Sequence, residues 1–150
     1  MTLVIAFHAL AATIWIGGMF FAYMALRSVA ASQFEPPIRL TLWSEVFKRF
    51  FPWVMVCIVT LLISGLWMIS LLGGMSAVGL HVHIMLLIGV IMMLIFLHIY
   101  FNPFKKLHLS VIEKDWMTAG SALNQIRQLI AVNLLLGLVV VAVGSGGRFL

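Results

Sequence analysis

Polar groups are scarce in this chain, and the ones able to do chemistry are histidines. His8 sits early in the first long apolar run, and His81-Val82-His83 opens the third. An imidazole in hydrocarbon is costly without a partner, so an intramembrane histidine is a site hypothesis by default. Two imidazoles on two helices at one depth can grip a metal ion, or approach a haem iron from opposite faces. Residues two apart on a helix point about 200° from each other. Only one of His81 and His83 can therefore face inward well; His83 is taken as the third-run ligand and His81 as its alternative.

The face of the first run that carries His8 also holds Ala11, Ala12, Trp15, Gly18, Met19 and Ala22 by three-and-four spacing. Its small residues let a flat ligand or another helix approach the backbone closely. Ser64-Gly65 marks similar close packing in the second run. Arg148, the one formally charged side chain expected at that face, suits carboxylates such as haem propionates through its fork geometry; its alternative role is a helix-terminal charge. His98 lies about 22 Å beyond His83 along the helix axis, near the opposite face. It is a candidate ligand for a second metal or cofactor, although the second and fourth runs hold no histidine to complete such a site. His108 falls in a polar connection and reads as solvated surface.

Copper is the other cargo these side chains suit, because Cu(I) favours thioether and imidazole. The chain has ten methionines. Met75, Met85 and Met92-Met93 are scattered, without the short repeats of a dense copper cluster, and read as packing residues. Both pairs of acids, Glu35 with Glu45 and Glu113 with Asp115, fall in basic connections. Two-carboxylate or Ser-His-Asp catalysis is not expected on that ground.

The elements that must position these residues follow from composition. Of the 150 residues 64% are hydrophobic and only 9% charged, and the mean hydropathy is +1.20. Stretches 1–26, 50–104 and 128–147 contain no Asp, Glu, Lys or Arg. A bilayer core takes about 20 apolar residues per helix, and Gly73-Gly74 with Gly79 splits the middle stretch in two. Four spans are expected, at about 3–26, 51–73, 81–102 and 124–145, in a single all-α integral membrane domain with an up-down-up-down bundle. Pro36-Pro37 reads as a loop before an amphipathic stretch, Ile38 to Phe50, that begins the second helix. Phe104 to Met117 reads as a surface helix.

The net charge of +5 is no nucleic-acid signal. Eight of the nine basic residues fall between spans one and two, or between three and four and at the entry of the fourth, which is the positive-inside pattern. The termini and the uncharged connection between spans two and three are therefore expected on the periplasmic side of a bacterial-type inner membrane, with the basic connections against anionic headgroups. The first run lacks a basic leader and is too long for a signal peptide, so it is expected to stay as a span. The lone cysteine, Cys57, lies inside the second span and reads as a small core residue.

The first span, with His8, Ala11, Trp15, Gly17 and Gly18, resembles the opening helix of the copper-resistance protein D (CopD) family. So do the basic residues before the second span, its Ile63-Ser64-Gly65-Leu66 end, and the last span around Arg127 and Asn133 to Gly137. His8 before Trp15, and Leu80-His81-Val82-His83, also resemble HemJ-type protoporphyrinogen oxidases, four-span proteins that bind haem b. Here a histidine, His83, stands where those oxidases carry a lysine.

Together the geometry and the resemblances imply a cytochrome b-like redox protein. One haem b would be held by His8 and His83 with Trp15 beside it, exchanging electrons with a quinone or a periplasmic partner. That chemistry would make the protein a haem-dependent oxidoreductase. The alternatives are copper transport or homeostasis, a protoporphyrinogen oxidase-like activity, and an accessory subunit of a larger membrane complex. Expected partners are the bilayer and a homodimer mate or larger assembly.

Overall fold

A computed structural model describes residues 1–147; Arg148 lies outside them. Four long helices account for nearly all of that length: α1 (Thr2–Gln33), α2 (Pro36–Leu71), α3 (Leu80–Ile112) and α4 (Trp116–Gly146), each long and apolar enough to cross a membrane. The chain is thus an all-helical, multi-pass membrane protein, with no strand among the described residues. In hydrocarbon every backbone N–H and C=O must be satisfied within the chain, and helices achieve this segment by segment. Large side chains such as Leu3, Phe7, Trp53, Leu66, Leu87 and Leu135 point outward, where acyl chains would meet them.

The helices continue well past the spans expected from hydropathy. At about 1.5 Å per residue, the 36 residues of α2 reach roughly 54 Å, against a hydrocarbon core of about 30 Å. Pro36-Pro37 does not form the expected loop. The two prolines occupy the first helical positions, where a missing N–H is harmless and a fixed φ is pre-organised. The expected surface helix after the third span is likewise a continuation of α3, joined through a π-helical turn at Tyr100–Phe104. Pro103 lies inside that turn; a proline ring clashes with the carbonyl four residues back, and widening the helix relieves the clash. A second π turn, Ala22–Leu26, interrupts α1. α4 starts where Asp115 accepts the Thr118 backbone N–H at 3.2 Å, an N-cap. The Thr118 side chain and amide hold the Asp115 carboxyl below its ordinary value.

Contacts fix the directions. Gly18 of α1 faces Phe50 of α2, while His8 faces Ser64 and Gly65. Ser44 of α2 bonds His108 of α3, while Phe51 meets Phe96. Met85 of α3 lies at Gly144 of α4, while Met92 lies at Gly137. Numbering rises on one helix as it falls on the next in all three pairs, so consecutive helices are antiparallel. The core towards the basic end is aromatic. Phe51 stacks on Phe47 at 5.0 Å and meets Phe96 and Phe104 edge-on at 5.2 Å and 4.9 Å, geometries favoured by ring quadrupoles.

Candidate functional site

His8 is half-buried at the charge-poor end of the bundle. Its Nδ1 lies 2.7 Å from Ser64 Oγ, and its Cε1 packs on Gly65. Ser64 Oγ is also 2.5 Å from the Thr60 carbonyl oxygen, which can only accept. The serine proton is therefore spent on Thr60, and Ser64 Oγ accepts from His8 Nδ1–H. That relay makes Nδ1 the protonated nitrogen of His8 and leaves Nε2 outside the Ser64 contact. Holding one ring nitrogen as N–H so that the other can ligate is how proteins orient metal-binding histidines.

The two third-helix histidines part as helix geometry requires. His83 Nδ1 donates to the Gly79 carbonyl at 3.2 Å, again leaving Nε2 free. The base of His81 packs at Gly147, just past the end of α4, where an added Cβ would lie 2.7 Å from the His81 Cβ, while its ring Nδ1 and Cε1 lie over Gly79, each 2.9 Å from where a Cβ would stand. His8 makes its contacts with Ser64 and Gly65 of α2, and no hydrogen bond joins it to His81 or His83 among the described residues. Trp15 is 2% exposed and meets Phe96 edge-on at 6.2 Å, so it ties α1 to α3 in the core. His98 is exposed on α3. His108 is not the solvated residue its sequence context suggests; it is half-buried, with Nδ1 3.0 Å from the Oγ of buried Ser44. Cys57 is buried, as expected.

A feature that residue counting missed lies between α3 and α4. His81, Met85 and Met92 share one side of α3: Met85 and Met92 sit on Gly144 and Gly137 of α4, and the Cβ of His81 on Gly147 just beyond it. A Cβ at Gly144 would come within 2.9 Å of the Met85 Cε, and one at Gly137 within 3.2 Å of the Met92 Cε and 3.0 Å of Ile16 Cγ1 from α1. The glycines make the room that the soft side chains occupy. Beside Met92, Asn133 is 1% exposed; its Nδ2 donates to the Met92 carbonyl at 3.3 Å, and its Oδ1 has no partner. An unsatisfied amide oxygen in the apolar interior is uncommon, and it is a hard donor. Spacing from His81 to Met85 to Met92 spells one face only once α4 is known to cover it.

Among the described residues there is no group of three or more His, Cys, Asp or Glu side chains that could hold a metal ion. The thioethers and single imidazoles are the donors here that suit Cu(I); the Asn133 amide oxygen is too hard to add to that set.

No curated protein matches the chain, and no solved structure does. The family model for copper resistance protein D matches residues 44–146, a segment that contains Ser64, the third-helix histidines, the methionine row and Asn133, and that begins after His8 and Trp15. The match spans more than half of the protein, and the chain belongs to the copper resistance protein D (CopD) family.

Proposed function

We propose that this protein handles copper in the membrane, taking Cu(I) at the charge-poor end of the bundle and passing it along the seam between α3 and α4. The observation that carries the reading is the pair Met85 and Met92 set on Gly144 and Gly137 of α4, with His81 one turn before Met85 where α4 ends. Imidazole and thioether bind Cu(I) without needing a charged ligand in hydrocarbon, where a carboxylate would be expensive. Donors one to two helical turns apart offer successive weak sites, which passage demands: binding good enough to enter, weak enough to leave. Family membership agrees with a copper-related role.

A second reading is favoured by the matched tautomers of His8 and His83, whose Nδ1–H groups are both donated. Two free Nε2 atoms fit the donor chemistry of a bis-histidine haem b, with His81 the alternative ligand from α3. Such a group would supply one-electron exchange with a quinone or an outer-face partner.

Reconstituted vesicles and one purified preparation decide between them. Cu(I) uptake into vesicles should fall about tenfold in His81→Ala and Met92→Leu, the latter a near-isosteric change that removes only the sulfur. Loss of one coordinating group costs on the order of 1.4 kcal/mol on that scale. Uptake equal to wild type in both variants sinks the copper reading. A reduced-minus-oxidised visible spectrum with a low-spin b-type band, lost in His8→Ala and His83→Ala, would instead establish the haem.

A further inference from the structure

At the opposite, basic end, α1, α2 and α4 enclose a cavity of about 390 Å³, within the size range of small-molecule sites. Three arginines from three helices line it: Arg27, Arg39 and Arg127. Tyr23, Trp43 and Trp116 form its aromatic walls, and its floor is aliphatic, ending at Ile130. Two of the arginines are held in place by neutral partners. The Arg27 guanidinium lies 4.4 Å over the Tyr23 ring, a cation–π arrangement set up by the π turn at Ala22–Leu26, and Arg127 donates to the Asn124 side-chain oxygen. Single-turn π bulges frequently accompany binding sites.

None of the three has a carboxylate partner: among the described residues the only ion pair is Glu45 with Arg49, at 2.6 Å. Asp115, at the start of α4, is engaged with Thr118, and Glu35 precedes the first turn of α2 without pairing to an arginine. Three arginines thus line one crevice with no carboxylate paired to them, and like charges so placed favour an anion from outside. Planar guanidinium forks match phosphate oxygens in pairs.

The remaining lining says what carries the phosphate. Indole and phenol rings at a water–membrane boundary sit at headgroup depth, and the aliphatic floor continues into the span. A free anion would use the arginines and leave that floor unoccupied. We propose that this cavity is a binding site for the headgroup of an anionic phospholipid of the leaflet at the basic end, with its phosphate among Arg27, Arg39 and Arg127 and the start of its acyl chains against the apolar floor. Basic pockets between membrane helices on this side are suited to phosphate headgroups. The site is separate from the copper seam and does not depend on it.

The test is native mass spectrometry of the delipidated full chain titrated with dioleoylphosphatidylglycerol, dioleoylphosphatidylcholine or glycerol 3-phosphate. Phosphatidylglycerol should be retained preferentially. Arg27→Gln, Arg39→Gln and Arg127→Gln should each weaken it about fivefold, and Arg49→Gln, outside the cavity, should not. Arg39→Lys guards against misfolding; it keeps the charge and should lose less than Arg39→Gln. Equal retention of phosphatidylcholine, or retention in the Arg39→Gln/Arg127→Gln double variant as strong as in Arg49→Gln, would overturn the site. Displacement of the lipid by equimolar glycerol 3-phosphate would overturn the lipid assignment in favour of a water-soluble phosphate ester.

Discussion

The proton order along Thr60, Ser64 and His8 carries a consequence at the scale of one atom. With the serine hydrogen given to the Thr60 carbonyl, the imidazole at 2.7 Å must be the donor, and in the neutral ring Nε2 is the nitrogen open to a ligand. Ser64→Ala should cost about 1–3 kcal/mol, the range for stranding a half-buried donor, and should release the ring to sample both tautomers. Nitrogen-15 NMR of the histidine side chains checks this: wild type should show a single Nδ1–H form for His8, and Ser64→Ala a mixture. A single tautomer persisting in the variant would remove Ser64 as the orienting group. His8 was legible in the sequence as a polar atom in an apolar run. Its partner was not, because Ser64 is fifty-six positions away and only the antiparallel packing of α1 on α2 brings them level. The choice between His81 and His83 was closed to sequence for the same reason: the helix sends them apart, but which one meets α4 depends on where Gly147 sits.

Helix existence was written in the charge-free stretches, since nothing but a membrane span accommodates so many apolar residues without a charge. Helix length was not. Pro36-Pro37 looks like a break yet begins α2, and Pro103 looks like a stop yet is absorbed in a π turn. Hydropathy also fades before the helices do, because their ends at the basic side are amphipathic. The seam between α3 and α4 belongs to this scale, since no one residue defines it. Ile16 of α1, Met92 of α3 and Gly137 of α4 meet there, so a side chain at Gly137 must displace both neighbours. Gly137→Leu should cost about 1–3 kcal/mol by overpacking and should block Cu(I) uptake by pushing the Met92 sulfur off the seam. Gly89→Leu, where a Cβ meets nothing within 4 Å, should leave stability and uptake near wild type. Equal behaviour of the two variants in detergent unfolding and vesicle uptake would show that the seam is not a close-packed path.

Seen whole, the molecule has two chemically different ends. One carries imidazoles and thioethers with almost no charge; the other carries eight basic residues and the arginine cavity. A cation moving along the seam towards the basic end meets a repulsive field there, and an anionic headgroup among Arg27, Arg39 and Arg127 would offset part of it. The direction in which copper would travel therefore turns on which end faces the cytoplasm. Positive charge between spans favours the cytoplasmic side, and on that rule the connection at residues 72–79 is expected outside. In a Cys57→Ala background, which removes the one native, buried thiol, Ser76→Cys in that exposed connection should react with a membrane-impermeant maleimide in intact cells. Glu113→Cys, exposed in the turn between α3 and α4, should react only after the membrane is opened. The reverse pattern would place the histidine and methionine donors at the cytoplasmic face. Copper would then start from inside the cell, and the same row of side chains would read as an exit route.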